Sequence, residues 1–457
     1  MSLITRLMIL TCGAVFAAVL AFRGPGQMML AITGVFMALM VLRQPLSGLV
    51  MFALLATLIP YATVQLGVRI TLSEAMLAFT WAGVSWHLFL GKMRMRWGRT
   101  EQRVAWLILF SALPFVVGQV VVKAGGSGLV NWLRWLLNVS PVFLMPILLE
   151  EEASQDGLIV AMLLGTLGML LLSLGFFIKD RQAISFLPVL ESLRYAHPEA
   201  ARDIFSANPT RMASPWVHPN LTGGALAIFL PLAFLYARTV CGWRRWLGIA
   251  VTLLGAVGLL LSLSRGAIVS LVLVMVWLSW RRLPFAGRIL ALGTVLGTAV
   301  VTAYPPLQER LATAFSSSNA STGIRLDEYR RFPEALVRYP LGIGFKTDPP
   351  PPETGLLGIS NLWLNYAYKL GIPGLILFIG VVAAWWREAG PRGRFDRLHG
   401  HRALAVGTST GVLAALLTGF FDHYCSFTVV LTALFWTMMG LSLRLSRTES
   451  PQPLPEQ

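Results

Sequence analysis

Five short stretches of this chain hold residue types that could do chemistry. The first, 211–224, reads RMASPWVHPNLTGG and leads into an apolar run. Pro219 restrains the chain, Asn220 is a helix-capping type, and Gly223 and Gly224 admit a close neighbouring helix. A plain loop entering a helix accounts for all of this except Arg211 and His218. The second, 262–267, is SLSRGA, which places Arg265 between two apolar runs with almost no loop to carry it into water. Such an arginine either snorkels to an interface or serves a function, and we favour function.

The third stretch, 322–345, is TGIRLDEYRRFPEALVRYPLGIGF. Arg325 with Asp327, Glu328 and Arg330 is either an exposed ion-paired face or a phosphate grip with carboxylates at hand. Residues 326–337 predict a short helix with Leu326, Tyr329, Phe332 and Leu336 near one face, kinked or shortened at Pro333. The closing YPLGIGF predicts a turn whose backbone passes close to another element. The fourth, 360–375, is SNLWLNYAYKLGIPGL, with Asn361 and Asn365 one helical turn apart and Lys369 a turn further on, snorkelling or paired inside a bundle. The fifth is Asp422–His423. A carboxylate orienting an imidazole makes a base, but adjacent side chains on a helix do not face each other, so a polar turn is the preferred reading.

The elements that must position these residues follow from composition. The 457 residues are 56% hydrophobic and 13% charged, whereas soluble globular proteins carry about 25% charged residues. That deficit excludes a soluble enzyme, a disordered chain and a nucleic-acid binder, despite a net charge of +16. Cys12, Cys241 and Cys425 fit neither a disulfide framework nor a CxxC metal site.

Spanning a bilayer takes about 20 apolar residues. Windows of that length fall near 4–22, 27–42, 46–66, 73–90, 104–122, 130–149, 157–178, 221–238, 245–262, 265–280, 288–305, 362–386, 403–421 and 425–443. The expectation is an all-α polytopic membrane protein of 12–14 transmembrane helices. Its parts are N-terminal helices (1–178), an outer loop (179–220), central helices (221–305), a large outer loop with short helices (306–361), C-terminal helices (362–443) and a disordered tail (444–457). The first run lacks a small-residue cleavage site and reads as a retained span. Lys92, Arg94, Arg96, Arg99 and Arg103, the arginines near 238–245, 281–288 and 387–402, and Arg444 and Arg447 share one face by parity. The positive-inside bias makes that face cytoplasmic, with both termini on it. The acidic turn 150–156 lies on the same face without a base of its own. The outer segments are basic too, which suits either a solvated surface meeting anionic lipid or a site for a phosphorylated substrate.

Taken in order, these segments resemble the O-antigen ligase and Wzy-type O-antigen polymerase superfamily of bacterial membrane glycosyltransferases, over roughly residues 205–380. The motifs are an Arg ahead of a Pro-Asn pair, an S-R-G turn, a Gly-x-Arg helix closing on P-x-G-x-G, and an Asn-x-x-Leu re-entry helix with Leu-Gly-x-x-Gly-Leu. The resemblance implies a GT-C-like enzyme of the inner membrane with its active site facing the periplasm. It would take a glycan from an undecaprenyl-pyrophosphate carrier with no metal and no cofactor. By motif, Arg211 and Arg265 would hold the pyrophosphate and Arg325 would be a third contact; Asn220, Ser360, Asn361 and Arg330 are expected as further substrate contacts. Arginine's permanent charge and planar fork suit phosphate oxygens, and fixed positive groups stabilise charge developing on a leaving group.

One departure matters. Ligases usually carry a His just before the re-entry Asn, and Ser360 stands there instead. Either the base is another group (His218, Asp327, Glu328 or the Asp422–His423 pair) or the enzyme is a polymerase. We favour a polymerase of lipid-linked repeat units, making O-antigen, exopolysaccharide or capsule, with ligation onto lipid A-core as the alternative. The expected partners are the carrier-linked donor, a lipid-linked repeat unit or lipid A-core as acceptor, membrane lipids and a chain-length regulator. A flippase for lipid-linked sugars is disfavoured because the bases lie at the outer boundary and not near the midplane. A non-catalytic scaffold would leave Arg265 without a role.

Overall fold

A computed structural model describes residues 25–449 apart from 67, 123–127, 182–183, 208–210, 304, 306–307, 309–311, 313–319, 347–353 and 397. The expected first span at 4–22 and the end of the tail, 450–457, lie outside the described residues. In chain order the elements are α1 (Pro25–Arg43), α2 (Pro45–Leu58), β1 (Thr63–Leu66), β2 (Val68–Thr71), α3 (Leu72–Phe89), α4 (Arg99–Val121), α5 (Leu129–Val139), α6 (Pro141–Leu148), α7 (Glu152–Asp180), α8 (Leu187–Ser192) and α9 (Pro198–Ala207). They continue with α10 (Pro219–Thr239), α11 (Gly242–Ser262), α12 (Arg265–Trp280), α13 (Ala286–Ala303), α14 (Ala320–Arg338), α15 (Leu362–Ala389), α16 (Gly400–Thr418), α17 (Tyr424–Phe427) and α18 (Val429–Glu449).

The protein is an all-α polytopic membrane protein, 79% helical. Among the described residues, six helices are long and apolar enough to cross a membrane: α4, α7, α10, α11, α13 and α15. Three shorter apolar helices are Ile32–Arg43 within α1, α2 and α12. Among the described residues, the windows at 73–90, 403–421 and 425–443 are largely helical but are not among these six. The window at 46–66 ends as helix at Leu58, because its second half pairs as an antiparallel hairpin, β1 with β2. The window at 130–149 divides into α5 and α6, since Pro141 starts a new helix after Ser140. Residues 444–449, expected in the tail, are helical, since α18 continues to Glu449.

Helix α10 is the centre of the bundle, enclosed by α11, α12 and α16. Small residues permit this closeness. A Cβ at Gly411 of α16 would collide with the Ile228 carbonyl of α10, the small-residue contact by which membrane helices approach one another. Buried Thr408, Ser409 and Thr410 lower the hydropathy of α16. Their location inside the bundle explains how so polar a helix can sit there.

The two ends of the bundle differ. At one end lie the 262–265 turn, the hairpin, α8, α9, and the described residues of 211–218, 320–346 and 354–361. At the other end, the acidic start of α7 and the turn before it meet bases from α11, α16 and α18: Arg244 with Asp156 (2.7 Å), His401 with Glu152 (2.9 Å), and Arg444 Nε with the Leu149 carbonyl (2.7 Å). Arg447 there pairs with Glu101 and Glu388 (both 2.6 Å). Bases from three other helices thus reach the acidic start of α7, which has none of its own.

Helix α15 is broken where the sequence breaks it. Pro373 has no N–H for the Lys369 carbonyl, and Gly371 takes φ 73, ψ 176. The 339–345 segment fills the gap. Ile343 N–H donates to the Tyr368 carbonyl (3.0 Å), Gly344 N–H to the Lys369 carbonyl (2.9 Å), and Ile372 N–H to the Pro340 carbonyl (3.4 Å). This is the close approach that YPLGIGF predicts. The helix before it, α14, extends from 320 to 338 with Pro333 inside it, so it is not shortened there. Its inward face is Tyr329, Phe332, Ala335 and then Tyr339, packed with Ile343, Leu356 and Tyr368. Leu326, expected on that face, is exposed.

Candidate active site

The 262–265 turn is built by a helix that stops and restarts within two residues. Leu263 caps α11 in the left-handed region at φ 51, Ser264 is extended, and α12 begins at Arg265. A non-glycine residue in that region is uncommon and costs on the order of 1 kcal/mol, and here it sets Arg265 at the first position of a helix. Helix α10 begins alongside. Pro219 supplies its first turn, and the His218 ring Nδ1 accepts from the Asn220 N–H (3.1 Å).

Arg211 is 4% exposed, and its Nε donates to the Ser262 carbonyl (2.9 Å). Its Nη2 donates to Asn220 Oδ1 (2.6 Å). The Asn220 amide in turn donates to Asp422 Oδ2 (3.4 Å), and Arg325 Nη2 lies 3.5 Å from the same oxygen. One polar chain thus runs Arg211–Asn220–Asp422–Arg325 across four separate segments. It borders a small open cleft lined by Asn220, Ser264, Arg265, Arg325, Phe421 and Asp422, among others.

The sequence candidates divide on this geometry. Arg265, Arg325 and Asn220 line the cleft, and Arg211 braces it from behind through Asn220. His218 caps α10 and has the Tyr424 hydroxyl 3.5 Å from Nδ1. Asp327 is turned away, ion-paired with Arg331 on the exposed side of α14 (3.0 Å). Arg330 is also exposed and does not line the cleft. Asn361 caps α15, its Oδ1 accepting from the Trp363 and Leu364 N–H groups. The Ser360 backbone is held by Glu328 Oε2 (2.7 Å) and the Tyr329 hydroxyl (3.3 Å). Lys369 donates to the Leu357 carbonyl (3.1 Å).

Sequence reasoning underrated Asp422. It is 8% exposed and sits between the two cleft arginines and Asn220. Burial pushes its carboxyl up to about 7, against the opposing pull of Arg325, the His423 N–H and the Asn220 amide. Burial, with Lys369 and Arg325 nearby, pulls His423 down to about 4, so its ring is neutral at pH 7.

The arrangement is a concave site with two permanent cations, a carboxylate that titrates near neutrality, and the starts of α10 and α12 aimed into it. It can hold a di-anion and accept a proton beside it. Residues 249–379 match the family described as O-antigen ligase. The match bears out the resemblance to the O-antigen ligase and Wzy superfamily. It takes in Arg265, Arg325, Ser360 and Asn361, while Arg211, His218, Asn220 and Asp422 lie outside it. No curated protein matches the chain. The match supports a membrane glycosyltransferase of the ligase and polymerase type.

Proposed function

We propose that this protein transfers a glycan from an undecaprenyl-pyrophosphate carrier at the periplasmic face of the inner membrane, polymerising lipid-linked repeat units. Arg265 and Arg325 bind the diphosphate, one from the start of α12 and one from α14. Backbone N–H groups at a helix start favour an anion in the same place. Arg211 acts through Asn220, whose amide oxygen it holds so that the NH2 group points at Asp422. Asp422 accepts the proton of the acceptor hydroxyl as that oxygen attacks the anomeric carbon. The bond from the anomeric carbon to the phosphate oxygen breaks, and its electrons leave on the lipid diphosphate, where the arginines stabilise them. The arginines supply the charge that a divalent ion would otherwise provide. Transfer onto lipid A-core remains the alternative acceptor, and a lipid-linked sugar transporter the less favoured reading.

The observation that carries this reading is the meeting of Arg265, Arg325, Asn220 and Asp422 on one cleft from positions 45 to 202 residues apart. The Ser360 departure fits it, since Asp422 offers a base to a chain that lacks the expected histidine. The test is genetic and chemical. Arg265→Ala and Asp422→Asn should each abolish long surface glycan at unchanged protein level. In a deletion strain, a single repeat unit on the lipid core marks a polymerase, and long chains stranded on the carrier mark a ligase. Normal glycan in both variants overturns the enzyme reading.

A further inference from the structure

At the end of the bundle away from the cleft, α10, α11, α12 and α13 finish or begin in two turns that carry Arg238, Arg244, Arg245, Arg281, Arg282 and Arg288. From Asp203 to Glu309 the sequence holds no Asp or Glu, so these turns contain no compensating charge of their own. Asp156 reaches in from the start of α7 to pair with Arg244, leaving the 281–288 side without a carboxylate partner among the described ion pairs. The aromatic residues there are exposed: Trp243 at 58%, Trp246 at 70%, Trp280 at 79% and Phe285 at 55%.

The local geometry is a cradle and not a loose basic loop. The guanidinium of Arg238 donates to the Pro284 carbonyl (3.1 Å) and lies 5.2 Å from the centroid of the Phe285 ring. The guanidinium of Arg288 lies 5.3 Å from the same centroid. One ring therefore draws in two like charges, which repel each other until an anion joins them. The turn that presents the ring is strained, with Arg282 at φ 64 and Phe285 at φ 68, both non-glycine residues in the left-handed region. It is held there by Leu283 N–H on the Leu278 carbonyl (3.0 Å) and by Phe395 N–H on the Arg281 carbonyl (2.9 Å). Strain kept up by neighbouring elements marks a place with a task beyond connecting two helices.

We propose that the Arg238–Phe285–Arg288 cradle is a binding site for the headgroup phosphate of an anionic phospholipid. Arginine forks suit phosphate oxygens, and basic pockets between helix ends bind acidic headgroups. The lipid, and not a free phosphate, is the occupant because exposed Trp280 and Trp246 and the outward apolar residues Leu253 and Leu273 of α11 and α12 offer its acyl chains a surface.

The test is a lipid titration of the full chain in nanodiscs of phosphatidylcholine with increasing brominated phosphatidylglycerol, read by quenching of tryptophan fluorescence. The wild type should show a saturable component, absent with brominated phosphatidylcholine. In the Arg238→Gln/Arg288→Gln double variant the half-saturating fraction of phosphatidylglycerol should rise at least tenfold. Arg94→Gln, an exposed arginine in another turn at the same end, should leave the curve unchanged. Excess glycerol phosphate in the buffer should not displace the lipid if the acyl chains contribute. Equal quenching by the two lipids, equal loss in the Arg94 variant, or an unchanged curve in the double variant would overturn the site. Displacement by glycerol phosphate would overturn the lipid as its occupant. Because the readout is binding, failure here leaves the cleft chemistry untouched, and an inactive cleft variant leaves this site intact.

Discussion

The most exacting prediction concerns Asp422. If its carboxylate takes the acceptor proton, transfer requires the ionised form, and that form is scarce below the pH where the group titrates. With the carboxyl raised to about 7, each pH unit below that value cuts the ionised share about tenfold. Measured as kcat/KM, which reports the free enzyme, transfer at pH 6 should therefore run at about one tenth, and at pH 5 at about one hundredth, of the plateau reached above pH 8. Asp422→Asn keeps an acceptor for the Asn220 amide but cannot take a proton. The turnover number should fall by about 10²–10⁴, and whatever activity remains should lose the acid limb. The donor KM should not rise, because a neutral amide no longer competes with the diphosphate for Arg325. Stability moves in the opposite sense. The folded protein favours the protonated acid, so that contribution is complete below the ordinary carboxylate value and is lost as pH climbs through about 7. Between pH 6 and pH 8 the wild type should lose melting temperature relative to Asp422→Asn while it gains activity. The assay is reconstituted protein in vesicles with a synthetic polyprenyl-diphosphate glycan, scored by product length. A flat wild-type profile, or an Asn variant with turnover within threefold of wild type, would refute the reasoning.

The other predictions separate bracing from contact. Arg325→Ala should cost about 10²–10³ in turnover with little change in melting temperature, and Lys at that position should recover only part of it. A full rescue by Lys would remove the bidentate grip. Arg211→Ala should lower both activity and thermal stability, because the buried Ser262 carbonyl and Asn220 Oδ1 each lose a charged donor worth about 1.5–3 kcal/mol; a loss of activity at unchanged stability would make Arg211 a direct contact. Gly371→Ala sets a Cβ 2.5 Å from the Pro340 carbonyl oxygen at φ 73 and should abolish folded protein in size-exclusion runs. Gly91→Ala, with φ 69 and open space around it, should cost only about 1–2 kcal/mol. Asn361→Ala removes a helix cap worth about 1 kcal/mol and should lower the melting temperature while leaving turnover within a few-fold; a hundredfold drop in a stable variant would restore it as a substrate contact.

Much of the architecture was legible, and what was not has identifiable causes. Apolar windows found the helices because a buried or lipid-facing helix leaves a long hydrophobic run. They could not tell a span from α5 followed by α6, since Pro141 at a helix start and Pro inside a helix look alike in an apolar string. The hairpin had a readable signal, the alternation of TVQLGVRIT around a glycine, that a search for 20-residue windows passes over. Asp327 also had one: Arg331 stands four residues on, the spacing of a surface ion pair. Asp422 had none. Judged against its sequence neighbour His423 it looked like a polar turn. Apart from His423, its partners Asn220 and Arg325 are about 200 and about 100 residues away and are brought to it only by the packing of α10, α14 and α16.

That packing gives Asp422 two roles on the proposed reading, and they are linked. In the resting protein it is the carboxylate facing the cleft arginines, and its 3.5 Å contact with Arg325 helps keep it ionised although it is buried. A diphosphate entering the cleft competes for the same guanidinium. As Arg325 turns to the donor, Asp422 loses part of the cation that held its proton affinity down, and the new negative charge beside it raises that affinity further. The base therefore strengthens when the donor is in place. An acceptor hydroxyl that arrives first meets a carboxylate still engaged by Arg325. Ordered binding, donor before acceptor, follows from that single shared guanidinium. Lengthening the side chain with Asp422→Glu should blur the order, and random-order kinetics in the wild type would dissociate the two roles.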